Sequence, residues 1–266
     1  MFLLTSLSWR DDMRDIQLFN DHFQNFKQYG IPKAQLIIAD IPYNIGKDAY
    51  GSNPEWYVGG DITNGEDKSK AGKSFFDTDN DFRVSEFLHF TSQMLVKEPK
   101  TKGGKSKSPC MIVFCEFEQQ FELIQKAPKY GFKNYINLVF RKNFSPQVLK
   151  ANMRVVGNCE YGLILYRDRL PKFNNDGSMV FNCIEWGRSG DAPKVHPTQK
   201  PVKLLEYLIN IFTDEGDVVI DPCAGSGTTL LAAGNRKRKA YGFEIKKEYC
   251  RAAEEKILQN IQAGLF

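Results

Sequence analysis

The last seventy residues carry the pattern that most narrows what this chain can fold into. Asp217 to Asp221 is a β-branched run, Asp221-Pro222-Cys223-Ala224-Gly225-Ser226-Gly227-Thr228-Thr229 is a glycine-rich turn, and Thr228 to Asn235 opens a helix. A second strand, Ala240 to Glu244, and a closing helix, Lys247 to Ile261, follow. Before them, Pro201 to Phe212 has proline in the first turn and places Val202, Leu205, Leu208, Ile209 and Phe212 on one face, as an amphipathic helix does. Strand, turn, helix, strand, helix is the repeating unit of a doubly wound parallel sheet.

The same grammar runs through the earlier residues. Leu36-Ile37-Ile38-Ala39 reads as a buried parallel strand closed by Asp40-Ile41-Pro42-Tyr43, and Met111 to Cys115 as a second. Helical spacing predicts helices over Val84 to Val96 and Glu118 to Tyr130, the latter stopped by Gly131. Tyr135 to Phe140 and Glu160 to Tyr166, with no strong helix between them, predict an antiparallel pair at the sheet edge. Residues 44–81 read as a long glycine-bearing loop, and 167–195 as an insertion rather than core. The expected fold is therefore α/β and Rossmann-like, mostly parallel with an antiparallel edge pair and helices on both faces.

Composition sets the outer bounds. At 266 residues, 42% hydrophobic and 26% charged, the chain is globular, and disordered, collagen-like and coiled-coil classes are excluded. The formal charge of +4 permits nucleic acid without requiring it. Six dispersed cysteines without a CxxC pair and three histidines give no metal-site spacing, so no metal is expected and the cysteines read as reduced thiols. The N-terminus lacks a basic segment before Phe2-Leu3-Leu4, and Arg10, Asp11 and Asp12 follow soon after; we expect a cytoplasmic chain with no membrane span.

Chemistry enters at the glycine turn. A turn between a parallel strand and a helix is where such sheets bind nucleotide-like ligands, and Gly225 and Gly227 allow close backbone approach to the free N–H groups of the helix start. No Lys follows the last glycine, so this is not a phosphate loop, and the third glycine of a dinucleotide fingerprint is absent. That leaves a ligand with an adenosine part. Glu244, at the end of the next strand, is placed to accept bonds from ribose hydroxyls. Asp40-Ile41-Pro42-Tyr43 ends another strand on the same rim, and its acceptor, rigid turn and aromatic ring suit a flat heterocycle bearing an exocyclic amine.

Taken together, these motifs resemble the β group of the S-adenosylmethionine-dependent DNA amino-methyltransferases, which act on adenine N6 or cytosine N4. The catalytic tetrapeptide looks like Asp40-Ile41-Pro42-Tyr43, with Ile where Pro is commoner, and the cofactor loop looks like Asp221 to Gly227. A third block, His196-Pro197-Thr198-Gln199-Lys200-Pro201, precedes that loop, in the permuted order of this group. The resemblance covers essentially the whole chain and implies one methyltransferase domain over 1–266, with a catalytic half about 16–166, a short target-recognition insertion at 167–195 and a cofactor half at 196–262.

The same resemblance implies roles residue by residue. Asp40, Pro42 and Tyr43 would be catalytic, Tyr43 stacking on the base while Asp40 and a carbonyl near Pro42 accept the amine hydrogens. Asp221, Cys223, Ala224, Gly225, Gly227 and Thr228 would line S-adenosyl-L-methionine, with Cys223 a packing thiol and no nucleophile. Glu244 would hold its ribose, His196 would stand beside it, and Thr198 and Lys200 would reach its carboxylate end. Asp at position 40 favours adenine N6 over cytosine N4. DNA is the implied partner, contacted from Lys105, Arg141, Arg167, Arg169, Arg188 and, on the same insertion, Lys172. The short insertion points to a homodimer or a short target, and the family admits a cognate restriction endonuclease as a further partner. Rival readings are cytosine-N4 or RNA methylation, a catalytically silent nucleic-acid-binding partner of an active methyltransferase, protein-glutamine methylation and a dinucleotide oxidoreductase.

Overall fold

The computed structural model describes residues 15–43, 82–100, 107–143, 157–187, 190, 192–196 and 199–259. Eight strands form one sheet: β1 (Ile16–Phe19), β2 (Leu36–Asp40), β3 (Cys110–Cys115), β4 (Asn134–Lys142), β5 (Cys159–Tyr166), β6 (Cys183–Trp186), β7 (Val218–Asp221) and β8 (Lys239–Phe243). Their order is β1-β8-β7-β2-β3-β5-β4-β6, and every pairing is parallel except the two made by β5. Among the described residues five α-helices accompany it: α1 (Val84–Met94), α2 (Phe117–Lys126), α3 (Val202–Phe212), α4 (Thr228–Asn235) and α5 (Lys247–Ala253), the last continuing into a π-helical turn, Glu254–Leu258.

Period-two alternation sorts the core into two layers, because successive strand side chains point to opposite faces. Leu36 and Ile38 of β2, with Ile112 and Phe114 of β3, pack under α3, α4 and the π-helical turn. Ile37, Ala39, Met111 and Val113 pack on the other face under α1, α2 and the 3-10 helix Phe23–Tyr29. Both faces of β2 and β3 are covered, which is why these strands read as unbroken apolar runs. Burying each Leu, Ile or Phe there contributes roughly 1.5–3 kcal/mol. Gly162 of β5 leaves room for its neighbours: a Cβ would lie 2.9 Å from the Val113 carbonyl oxygen and 3.1 Å from the Phe140 ring.

The antiparallel pair β4–β5 forms as expected, with β5 seated between β3 and β4 and the short β6 added outside. Residues 167–195, expected to stand apart from the core, contribute to it. They supply β6, and Lys172 is buried with its ammonium on Asp214 at 2.5 Å and Asp217 at 3.0 Å, where two carboxylates compensate its desolvation. The expected loop 44–81 lies outside the described residues. Among the described residues no helix is long and apolar enough to cross a membrane.

Candidate functional site

The sheet winds outward in both directions from the seam between β7 and β2: β8 and β1 lie to one side, β3 to the other. Such a seam is a topological switch point, and ligands of open α/β sheets bind at the carboxyl ends of strands there. Asp221 ends β7, Asp40 ends β2, and Glu244 follows β8 on the same rim.

The β7–α4 turn is shaped by its glycines. Gly225 and Gly227 have φ of 50° and 75°, a left-handed conformation that side chains resist. Gly227 precedes α4, whose first turn carries the buried Thr228 and Thr229. The turn is tied to the next strand by the Ala224 amide, which donates to the Phe243 carbonyl at 2.9 Å, and by the Gly225 amide, which donates to Glu244 Oε2 at 2.9 Å. Glu244 Oε1 accepts from the Lys246 amide at 2.7 Å. Asp221 Oδ1 accepts from the Cys223 amide at 3.0 Å.

Burial sets the protonation of this turn. Asp221 is pushed up to about 7 by desolvation, with Thr229 and the Cys223 amide pulling it back. Desolvation also raises Glu244. The Cys223 thiol is driven well above its ordinary value, first by burial and then by Asp221, Glu244 and Asp40, so it stays protonated. His196 packs edge-on against Tyr249 with ring centroids 4.5 Å apart, and its ring lies over Gly225. Burial, then Lys200 and Lys246, depress it to about 4, so the imidazole is neutral at pH 7.

At the end of β2, Tyr43 donates from its hydroxyl to Asp40 Oδ1 at 3.2 Å, and Lys200 Nζ lies 2.7 Å from Asp40 Oδ2. Lys200, expected at the far end of a cofactor, thus has its ammonium on the carboxylate of the tetrapeptide. It is also 3.6 Å from Glu160, which pairs on its other side with Lys142. Burial raises Asp40, the Lys200 charge opposes it, and Glu160 adds to the rise. For Glu160, burial pushes upward, but Lys200 and Lys142 together hold it below the ordinary carboxylate range. The Pro42 carbonyl accepts from Gln119 Nε2 at 2.8 Å.

Of the expected DNA-contacting residues, Arg141 lies at the β4 end on this rim and pairs with Glu185 of β6. Arg167 and Arg169 do not belong to the rim. Because β5 runs opposite to its neighbours, they follow its C-terminal end and stand at the far edge of the sheet. There Arg167 donates to the Val96 carbonyl at 2.7 Å and lies 5.4 Å from the Phe132 ring centroid, while Arg169 donates to the Lys100 carbonyl at 3.1 Å. Lys172, buried on Asp214 and Asp217, is likewise at the far edge. Lys105, Arg188 and Thr198 lie outside the described residues.

Sequence reasoning missed Gln119, Lys142 and Glu160. The signal was there in part: with period two, Lys142 shares a face with Phe140, and Glu160 with Ile164, so both charges fall on the buried layer under α3. Three aromatic rings also gather where β3 passes into α2. Phe117 stacks edge-on with Phe121 at 5.6 Å and Tyr161 at 5.2 Å, and Phe117 and Phe121 are exposed.

Fold and rim define a Rossmann-like α/β protein whose acidic and glycine-turn groups converge on the switch point. Residues 174–255 match the family model of the N6/N4 type described as DNA methylase. YubD of Escherichia coli (strain K12), which carries the name of a methylase, is 30% identical over 151 residues; the match covers 57% of this chain and 63% of YubD. The DNA adenine methyltransferase YhdJ of the same organism is 27% identical over 249 residues, 87% of this chain and 79% of YhdJ. Among solved structures, the M1.HpyAVI–SAM complex superposes with a TM-score of 0.62 at 22% identity, covering 90% of this chain and 98% of that one. The cytosine-N4-specific PvuII DNA methyltransferase superposes with a TM-score of 0.63 at 17% identity, covering 93% of each chain. The likeness to the N6/N4 DNA methylase model lies in residues 174–255, and the solved methyltransferase structures share the fold of the chain.

Proposed function

We propose that this protein transfers a methyl group from S-adenosylmethionine to the exocyclic amine of a base in DNA, with adenine N6 the favoured target. The observation that carries the reading is the convergence of Asp40 and the Asp221–Glu244 turn on one switch point. The turn fits the cofactor: two glycines with positive φ leave its surface without side chains, and Glu244 retains acceptor capacity beyond its two amide bonds. When bound, S-adenosylmethionine supplies a methyl group on a sulfonium, already activated as a leaving group and released as a thioether.

The chain's own residues would supply positioning and electrostatics. Asp221, Cys223, Ala224, Gly225, Gly227 and Thr228 would line the methionine part, Glu244 the ribose and His196 the turn's outer side, with Thr198 at the carboxylate end. Asp40 and a carbonyl of the Ile41-Pro42 turn would accept the two amine hydrogens and leave the lone pair aimed at the methyl. Asp40 would then be placed to receive the proton that the amine gives up on methylation. Tyr43 would stack on the base, which must leave the duplex at a cost of a few kcal/mol. The tetrapeptide acid at position 40 and the likeness to YhdJ support adenine; the superposition with the PvuII enzyme is why cytosine N4 is the second reading. Arg141, at the rim end of β4, is a described cation placed to meet the strand.

The test is direct. Purified protein is incubated with DNA and S-adenosylmethionine labelled in the methyl group, and the DNA is digested to nucleosides. Label in N6-methyladenine is expected; label in N4-methylcytosine would move the target. Asp40→Ala should abolish transfer while calorimetry still shows cofactor binding. Wild-type transfer by that variant would overturn the role of Asp40.

A further inference from the structure

A row of four alternating charges runs along the rim on the face beneath α3: Asp40 at the end of β2, Lys200 just before α3, Glu160 at the start of β5 and Lys142 at the end of β4. Lys200 and Asp40 are 2.7 Å apart, Lys200 and Glu160 3.6 Å, and Glu160 pairs closely with Lys142. The three inner side chains are nearly sealed, with 6% of Lys200, 17% of Glu160 and 9% of Lys142 exposed, against 26% of Asp40. The ring of Phe114 lies 5.0 Å from the Lys200 ammonium, and Trp186 lies 5.1 Å from that of Lys142. Charges buried this deeply persist only when paired, and removing one partner changes the field on the others.

We infer that Glu160 and Lys142 are positioning residues for the reaction: by sharing the charge of Lys200, they set how tightly that ammonium holds Asp40 and so how good an acceptor Asp40 is. The inference rests on the methyltransferase reading above. Its geometry is specific. Lys200 occupies Oδ2 of Asp40, which leaves Oδ1, now bonded by the Tyr43 hydroxyl, as the oxygen that turns to a substrate amine. With Asp40 as its single partner, Lys200 would direct its whole charge at this carboxylate. With Glu160 on its other side, the ammonium is divided between two anions, and Lys142 in turn limits how much Glu160 takes.

Among the described residues, six groups face the Asp40 carboxyl from the elements around it: Tyr43 on its own turn, Lys200, Glu160, Cys115 of β3, and Asp221 and Cys223 at the end of β7. The two cysteines are held neutral by burial, so Lys200, Glu160 and Asp221 carry the field. Glu160 raises Asp40 and Lys200 lowers it. Removing the Glu160 charge therefore makes Asp40 a stronger acid and a poorer acceptor. Removing the Lys142 charge does the reverse, because the cluster then takes up a proton at higher pH.

The experiment measures kcat against pH, and cofactor affinity by calorimetry, for wild type, Glu160→Gln and Lys142→Gln. Glu160→Gln should lower kcat about tenfold and move the acid limb to lower pH; Lys142→Gln should move it to higher pH; cofactor affinity should stay within about twofold, one pKa unit or one decade corresponding to 1.36 kcal/mol. A residue that merely supports the fold would not move the limb in opposite directions from the two sides of one pair. Unmoved limbs, or limbs moving together, overturn the inference. If wild type methylates neither base, the functional reading fails, and the cluster is judged by infrared titration of the Asp40 carboxyl in the same three proteins. Opposite shifts there support it, and none overturns it. Should Glu160→Gln fail to fold, Lys142→Gln alone decides by the direction of its shift.

Discussion

The amide of Gly225 donates to Oε2 of Glu244 across 2.9 Å, so the glycine turn after β7 is fastened to the residue that follows β8. The same carboxylate accepts from Lys246, which makes Glu244 a structural clip as well as the proposed ribose acceptor. Hydrogen bonds to a charged group are worth about 1.5–3 kcal/mol each. Glu244→Ala should therefore weaken S-adenosylmethionine binding by at least about tenfold and lower the melting temperature together, whereas loss of a ribose contact alone would change affinity only. Calorimetric titration beside a thermal melt separates the two.

Gln119 ties α2 to the catalytic turn. Its Nε2 donates to the Pro42 carbonyl at 2.8 Å while its Oε1 accepts from the Glu116 amide at 3.0 Å, half of a capping box at the start of α2. Losing the cap should cost about 0.5–2 kcal/mol of stability. Gln119→Ala should also leave the Pro42 turn unsupported and lower kcat more than it changes KM for the cofactor. Gln119→Glu keeps the cap acceptor and loses the donor, so stability recovers and kcat does not; steady-state kinetics of both variants checks this.

Arg167 stands at the far edge of the sheet with its guanidinium on the Val96 and Ser92 carbonyls, and burial lowers its pKa. Arg167→Ala should cost about 1.5–3 kcal/mol of stability through the carbonyls it leaves behind. DNA affinity and the slope of log affinity against log salt should stay at wild-type values, because each phosphate contact removed would lower that slope by about 0.9. Arg141→Ala, on the candidate rim, should reduce the slope in the same filter-binding series.

How far the sequence revealed this architecture depended on how local the signal was. Val84–Met94, Leu36–Asp40 and the block from Val202 to Phe243 have apolar periods contained within each element, and those elements form as expected. Gly131, with φ of 91°, stops the helical stretch where its sequence position predicts. The seat of β5 between β3 and β4 has no local signature, since any strand order satisfies the same alternation. β6 is four residues with two exposed, too short and polar to show a period. The charges expected on DNA, Lys172 and Arg167, are buried and half-buried respectively because their partners come from 42 and 71 residues away, and Lys200 meets Asp40 across 160 residues. Asp40, Asp221 and Glu244 were legible because strand-end acids at a switch point need no distant partner to be recognised.

Asp221 and His196 should pull stability in opposite directions over one pH window. The Asp221 carboxyl is raised from its ordinary 3.8 to about 7 by burial. Between those values the native state holds a proton that the unfolded chain releases, so this group's contribution is present at low pH and lost as pH rises toward about 7. His196 falls from 6.5 to about 4, again chiefly through burial, with Lys200 and Lys246 adding to it. Here the unfolded chain binds the extra proton, so stability is lost as pH falls from 6.5 toward about 4. Two variants separate the groups. Asp221→Asn cannot ionise, so its melting temperature should rise relative to wild type as pH goes from about 5 to about 8. His196→Gln should improve relative to wild type as pH is lowered through the histidine window. Scanning calorimetry of the three proteins across that range reads both slopes, and a parallel offset with no pH dependence in either variant would show that the buried group does not titrate as its surroundings require.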